Sequence, residues 1–330
     1  MSRIVVTGGA GRLGRSLVAG LAGAGHELIS LDRSVSDAPE LAGVSQVAID
    51  LTDVDATART LADARPDALI HLAAIAVPFS APEDVIMRTN ASLAISVLGG
   101  GVAAGIPKIV AASSPTVLGY GAPTGWVPDR FPLDEQTEPM PWNAYARSKL
   151  LIEQTLRMYA RQTGDVVRFA AFRPCYVVAP EEWAGAPTQQ GHTVRERLDD
   201  PALSAPAVFN YVDARDVARF CDRLLEALPE IPNAETFFVA ADDALAREPL
   251  DELVPRFFPG TDEVAAVLTG TTSAFSNAKA RRLLGWTPTH NWREEIAGAS
   301  AGSVTEAILS AVRDAATPAS TPSDRKHANA

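Results

Sequence analysis

The sequence is poor in cysteine. Two residues in 330, Cys175 and Cys221, carry no metal-like spacing. That excludes a disulfide framework, offers no metal site, and fits a reducing cytoplasm. A dense run of Lys or Arg is missing as well. The 29 basic residues are outnumbered by 40 acidic ones, for a net charge of −11. Such a surface repels phosphate backbones and anionic headgroups, so neither nucleic acid nor membrane is an expected partner. No apolar stretch reads as reaching the roughly 18–20 residues of a membrane helix. The best candidate, near Phe169–Val178, is interrupted by Arg173. Met1 leads almost directly into a β-branched run, so no signal peptide is expected and the predicted location is cytoplasmic. No internal repeat is evident.

What is present suits a globular enzyme. Hydrophobic residues make up 47% and charged residues 21%, enough for a sizeable core. The length fits one large α/β domain with a smaller lobe.

Strands and helices alternate through the first half. Strands are predicted at Ile4–Val6, Glu27–Leu31, Val47–Ile49, Ala68–Leu72 and Ile109–Ala112, with a helix over Ala56–Ala64. This rhythm predicts a doubly wound α/β fold, a parallel sheet covered by helices on both faces. A helical stretch, about Asp84–Ala104, contains Gly99, Gly100 and Gly101. Each glycine costs a helix roughly 1 kcal/mol against Ala, so close packing and a broken helix both remain open. A helix over about Ala144–Gln162 and a sixth strand over Val166–Phe172 follow. Residues 1–174 are the expected dinucleotide domain and 175–316 mainly a substrate lobe. Within that lobe about 208–240 returns to the sheet, with strand-helix character over Tyr211–Leu228 and a strand at Phe237–Ala240. Residues 317–330 are small, polar and Pro-containing, and read as a disordered tail.

The turn after the first strand is Thr7-Gly8-Gly9-Ala10-Gly11-Arg12-Leu13-Gly14. Glycines at 8, 11 and 14 permit a tight turn, close approach of a pyrophosphate, and helix-on-strand packing. The helix start then offers free N–H groups to the phosphates. A plain strand-to-helix turn is the alternative, but the strand before and helix after favour a dinucleotide. Asp32 ends the second strand, where a carboxylate can accept from both ribose hydroxyls and repel a 2′-phosphate. NAD is therefore the expected cofactor, although Arg33 could reach a 2′-phosphate.

Tyr145 and Lys149 lie four apart near a helix start, on one face. An ammonium beside a phenol favours the phenolate and lowers its pKa from about 10 toward neutrality, which makes Tyr145 a general acid or base. A pair at this spacing can also be ordinary helix surface. Ser113 and Ser114 end the fifth strand, at the edge where parallel sheets bind ligands, or form a simple Ser/Pro turn.

Together these segments resemble the extended short-chain dehydrogenase/reductases, the NAD-dependent epimerase/dehydratase family, over about residues 1–312. The resemblance rests on Gly8-Gly11-Gly14, Asp50-Leu51, His71-Leu72-Ala73-Ala74, Asn90, the serine segment, Tyr145/Lys149 and Arg173-Pro174. It continues through Tyr211-Val212-Asp213, Asp216-Val217, and Lys279 to Leu284-Gly285-Trp286-Thr287-Pro288. It implies a Rossmann-type fold and a catalytic set of Ser114, Tyr145 and Lys149, with Lys149 also holding the nicotinamide ribose. Implied cofactor contacts are Gly8, Gly11, Arg12, Leu13, Gly14, Asp32, Asp50, Leu51, Leu72, Ala73, Ala74, Asn90, Tyr145, Lys149 and Pro174. Asp50 and Leu51 would flank adenine, Ala73 and Ala74 would line the nicotinamide, and Asn90 would also tie neighbouring elements together. His71 is expected to be structural. A homodimer through the helices near Asp84–Ala104 and Ala144–Gln162 is implied too.

The departures concern substrate. Pro115-Thr116 stands where the 4,6-dehydratases of the family carry Asp-Glu, which argues against dehydration. Tyr176 replaces an Asn, and Phe209-Asn210 an Arg, that nucleotide-sugar 4-epimerases use; Arg195, Arg197 and Arg215 are possible substitutes. Leu118 replaces a tyrosine of the pocket wall. The segment Gly121–Pro141 is long, and with Trp142 it offers Trp126 and Arg130 either as aromatic planes and a cation for a sugar-like ligand or as plain packing. The expected activity is NAD-dependent oxidation or reduction of a secondary alcohol on a small sugar-like molecule. The alternatives are a nucleotide-sugar 4-epimerase with tightly bound NAD and a non-catalytic NAD sensor.

Overall fold

The computed structural model describes residues 1–35 and 41–298; the predicted tail from residue 317 and the end of the lobe lie outside the described residues. Met1–Asn291 forms one compact unit, and the site lies within it.

In chain order this unit runs β1 (Arg3–Thr7), α1 (Arg12–Gly23), β2 (Glu27–Asp32), β3 (Val44–Ala48), α2 (Val54–Ala64), β4 (Ala68–His71), α3 (Glu83–Ala103) and β5 (Lys108–Ala112). It continues with α4 (Ala144–Thr163), β6 (Arg168–Pro174), β7 (Val177–Val178), α5 (Pro180–Trp183), α6 (Val194–Asp199), β8 (Val212–Asp213), α7 (Ala214–Ala227) and β9 (Glu235–Val239). Three further helices close it: α8 (Leu250–Phe257), α9 (Asp262–Ala265) and α10 (Ala278–Leu284).

Seven strands form one sheet in the order β3-β2-β1-β4-β5-β6-β9, every neighbouring pair parallel. Side chains alternate across a strand, and both faces here are dry. Ile4 and Val6 enter one apolar core with Leu17, Leu21 and Phe220, while Val5 enters the other with Leu61, Val97 and Ile152. A strand buried on both sides needs a continuous β-branched run, which is what β1 is. The chain winds outward from β1 to β3 and then returns to β4 beside β1. Strand order reverses between them, so a crevice opens outside Thr7 and His71.

Three expectations differ most from the structure. The third strand begins at Val44, three residues early, because β3 is an exposed edge whose V-S-Q-V-A sequence has little apolar signal. The sixth begins later and runs through Arg173 to Pro174; a charge in mid-strand hides it, and the structure neutralises that charge internally. Third, α3 is long and apolar enough by length and composition to cross a membrane. Its apolarity is scattered among Ala, Ser and Gly, so no continuous run reveals it. Half of its most apolar stretch is buried, and α3 packs against α2 and α4.

The glycine triplet settles in favour of packing, since α3 is unbroken. A Cβ on Gly101 would lie 2.8 Å from Leu69 and 3.1 Å from Ile109, and one on Gly100 would lie 3.3 Å from Leu61. Bare backbone lets α3 lie close to the sheet and α2, which offsets its poor helix propensity.

Candidate active site

The glycine turn leaves β1 at the reversal point. Gly8 has φ +75°, and a Cβ there would meet the Ala73 backbone nitrogen at 2.7 Å. Only glycine tolerates both the left-handed backbone and that contact. On Gly14 a Cβ would fall 2.1 Å from the Gly8 carbonyl, so the helix packs directly on the turn. Gly11 caps α1 with no side-chain bond, which leaves the first N–H groups, Arg12 and Leu13 among them, facing the crevice mouth. Asp32 comes back to this turn: it accepts from Ala10 N–H at 3.1 Å and Arg33 N–H at 2.7 Å. Uncapped N–H groups, a carboxylate at the ribose position and a backbone cradle that any Cβ would fill together fit a dinucleotide.

The remaining predicted contacts fall around the same edge, with distinctions. Leu72, Ala73 and Ala74 follow β4 half-buried, and Pro174 ends β6 half-buried. Leu51 is buried. Asp50 accepts from the Thr52 hydroxyl at 2.7 Å and the Thr52 N–H at 2.9 Å, and these bonds hold its carboxyl below the usual range. The Arg12 side chain turns away from the glycine turn, donating to the Val177 carbonyl at 3.0 Å and to Glu182. Asn90 acts as the tie: it accepts from Ile75 N–H at 2.8 Å and donates to the Ile75 carbonyl and the Ser148 hydroxyl. Both amide hydrogens are thereby engaged within the protein, which counts against the cofactor contact predicted for it. His71, as predicted, is structural. It is buried, bonded to the Thr7 hydroxyl at 2.8 Å, and held neutral by burial with its pKa pushed down to about 3.

Ser114, Tyr145 and Lys149 converge beyond β5. Asn143 caps α4 by accepting from Ala146 N–H at 2.9 Å, and this fixes Tyr145 and Lys149 in the first two turns. Ser114 begins a 3-10 turn over Pro115–Leu118 and accepts from the Thr116 N–H at 3.3 Å and hydroxyl at 2.9 Å. All three catalytic candidates are buried. Here the electrostatics correct the expectation. Burial raises the Tyr145 pKa, and the bond from Ser114, not the ammonium, lowers it in part. Lys149 lies 5.8 Å from the Tyr145 ring centre but donates to the Ala112 carbonyl at 3.0 Å. Its own pKa is pushed down to about 8 by burial. Without ligand, then, the phenol keeps its proton.

The insertion also divides differently. Trp126 is core: its indole donates to the Leu118 carbonyl at 3.0 Å, and its ring meets Tyr120, Phe131 and Phe258 edge-on. Arg130 pairs with Asp134 at the surface. Trp142 is partly exposed against Phe79, ring centres 5.5 Å apart. Of the three possible substitute arginines, Arg215 is paired bidentately with Asp213, while Arg197 is buried over the Tyr176 ring.

Sequence reasoning missed two parts. Tyr120 is buried near Tyr145 and Cys175, with a hydrogen bond to Asn210. Behind the serines, Glu153 receives both Arg173 (2.8 and 2.9 Å) and the Ser113 hydroxyl (2.6 Å). The spacing Lys149 to Glu153, one further helical turn, was the available signal for the second; nothing local marks the first.

Comparison with known proteins matches residues 4–240 to the family described as "NAD dependent epimerase/dehydratase family". A UDP-glucose 4-epimerase of Azospirillum brasilense is 35% identical over 159 residues, 47% of this chain and 44% of that protein. A 2′-dehydrokanamycin reductase of Streptomyces kanamyceticus is 30% identical over 155 residues, 47% of this chain and 38% of that one. These two matches thus span less than half the length of either relative. Among solved structures, a UDP-glucose-4-epimerase from Stenotrophomonas maltophila with bound NAD and formylated UDP-arabinopyranose superposes with TM-score 0.66. It is 21% identical, over 92% of this chain and 100% of that one, a likeness of fold.

Proposed function

The chain belongs to the NAD-dependent epimerase/dehydratase family, and from that premise we propose that it is an NAD-dependent oxidoreductase acting on a secondary alcohol of a sugar or sugar-like small molecule. The observation that carries this reading is the convergence of Ser114, Tyr145 and Lys149 at the end of β5, on the same edge of the parallel sheet as the glycine turn after β1. Residues 1–174 mainly hold the dinucleotide, and the described part of 175–316 mainly covers the substrate.

Bound at the glycine turn, NAD supplies the hydride acceptor. Tyr145 takes the proton of the substrate hydroxyl while the hydrogen on the same carbon departs as hydride, leaving a ketone or lactone. In reverse Tyr145 returns the proton, and the protonated phenol of the ligand-free site is ready for that direction. Ser114 orients the reacting oxygen and steadies the phenolate through its hydrogen bond. Lys149 presents an ammonium to the ribose hydroxyls. The buried setting keeps bulk water from competing for these bonds.

A second reading, epimerisation, is favoured by the name of the 35%-identical relative. There the keto form turns over in the site and is reduced on its other face. Tyr176 and Phe209-Asn210 weigh against it, where nucleotide-sugar contacts are expected. The test is to incubate the protein with NAD and a panel of sugars, sugar acids and nucleotide sugars. Absorbance of the reduced cofactor and product identity are followed together. Net reduced NAD supports the oxidoreductase; an isomerised product without net reduction supports the epimerase. Tight NAD binding with no turnover across the panel overturns both in favour of a sensor.

A further inference from the structure

Two rings that hydride transfer does not use stand in water beside the start of α4. Phe79 is 60% exposed and Trp142 37% exposed. Among the described residues no other aromatic side chain is exposed. These two lie against each other, with ring centres 5.5 Å apart and planes 36° from parallel. Aromatic side chains carry a large apolar surface that folding normally hides. Two of them left side by side in water form an open apolar platform.

Both rings are fixed on segments that carry the site. Trp142 precedes the α4 cap residue Asn143 and stands three residues before Tyr145. Its indole N–H donates to the Tyr120 carbonyl at 3.2 Å, so the polar edge is satisfied and only apolar ring is left to offer. Phe79 lies on the loop from β4 to α3, five residues after Ala74. Asn90 ties that loop down at Ile75, and the Ser80 hydroxyl donates to the Val77 carbonyl at 2.8 Å. At the end of the loop Glu83 accepts from the Ala144 N–H at 2.6 Å, which joins it to the start of α4. The Phe79 backbone is left-handed, φ +62°, a conformation that a bulky side chain adopts only at a cost. With the ring in water, no core burial offsets that cost.

We propose that Phe79 and Trp142 form an outer subsite that stacks on the apolar face of a second ring of the substrate, joined to the ring that reacts. Ser114 and Tyr145 are only 6% and 8% exposed, so the reacting carbon is enclosed. What the substrate carries beyond it emerges at the rim, where these two rings stand. The electron-rich face of an aromatic ring attracts polarised C–H groups and the edges of other rings. The C–H face of a sugar and an aryl ring share that chemistry. The substrate class is therefore a glycoside, its second ring a sugar or an aryl group, and not a free monosaccharide. The subsite deepens the hydride-transfer reading and rests on it for which ring reacts.

The test is calorimetric titration of the whole NAD-loaded protein with the methyl and phenyl glycosides of glucose, galactose and mannose, and with maltose, lactose and mannobiose. A methyl group is too short to stack, so each methyl glycoside reports the enclosed centre alone. With at least one of these sugars a two-ring ligand should bind about tenfold more tightly than the methyl glycoside, the effect of one or two ring contacts. A preference for the phenyl glycoside assigns an aryl group, and one for the disaccharide a sugar ring. Trp142→Ala should abolish the preference, but it also frees the Tyr120 carbonyl. Phe79→Asn is therefore the decisive comparison, because asparagine accepts the left-handed backbone. A merely structural role predicts no loss of binding, whereas the subsite predicts a lost preference at an undiminished melting temperature. Equal affinity for one-ring and two-ring ligands in the parent, no two-ring binding at millimolar concentration, or a preference that survives both variants overturns the proposal. Self-association of the parent that Phe79→Asn abolishes, without any ligand preference, overturns it in favour of a contact between copies. NAD reduction is followed in parallel. A ring preference without reduction upholds the subsite against the hydride-transfer reading, and reduction without a preference does the reverse.

Discussion

Lys149 holds its ammonium 5.8 Å from the centre of the Tyr145 ring, yet its hydrogen bond, at 3.0 Å, goes to the carbonyl of Ala112. The helix brings the two side chains to one face, and the sheet then claims the proton. The pair is thus coupled through shared burial. Desolvation pulls both toward neutrality, with Lys149 down to about 8 and Tyr145 upward.

That geometry makes Lys149 a stability liability with a defined pH window. A lysine near 10.5 when unfolded and near 8 when folded binds more protons in the unfolded state between those values. Its penalty, about 3 kcal/mol at one decade per 1.36 kcal/mol, is fully present below pH 8. It is relieved as pH rises from there to 10.5. Lys149→Met removes the titration and leaves the Ala112 carbonyl unpaired at any pH. The stability of the parent relative to this variant should therefore improve by about 2–3 kcal/mol from pH 7 to pH 10, read from urea midpoints. A difference that does not move with pH would show that burial does not perturb the ammonium.

Tyr145 and Ser114 separate by kinetics. Tyr145→Phe should lower turnover at least about 100-fold if the phenol exchanges the proton. Ser114→Ala has a distinct signature. The bond from Ser114 lowers the Tyr145 pKa, so its loss raises that pKa further. The rising limb of the oxidation rate should then shift to higher pH, while Tyr145→Phe flattens it. Near-normal turnover of Tyr145→Phe would remove the phenol from the mechanism.

Where an element's chemistry is local, the sequence is transparent. β1 is apolar because both its faces are buried, and the glycine turn needs bare backbone at Gly8 and Gly14. Tyr145, Lys149 and Ser114 are legible because helical spacing and a strand end fix where they lie. What stays hidden depends on partners distant in the chain. Arg12 meets Glu182 across 170 positions, so the sequence shows it simply as a loop residue pointing at phosphate. Trp126 reads equally well as a pocket wall and as core until Tyr120, Phe131 and Phe258 close around it. The sign of the Tyr145 shift was beyond sequence altogether, because burial outweighs a neighbouring charge only once the depth of the site is known.

The buried pair of Glu153 and Arg173 provides the sharpest test of how the site is held. Both residues are almost fully enclosed, joined by two bonds at 2.8 and 2.9 Å, and Glu153 also accepts from Ser113 next to Ser114. Removing Glu153 strands Arg173 where water cannot reach it, whereas Glu153 without Arg173 keeps the partly exposed Arg157 at 3.6 Å. Glu153→Gln should therefore cost about 3–5 kcal/mol in urea unfolding, and Arg173→Met less. Replacing both with apolar residues, Glu153→Leu with Arg173→Met, should cost less than Glu153→Gln alone, since no buried charge is then left stranded. If the two costs simply add, the charges do not stabilise each other. Ser113, and through it the start of the catalytic turn, would then owe its position to packing alone.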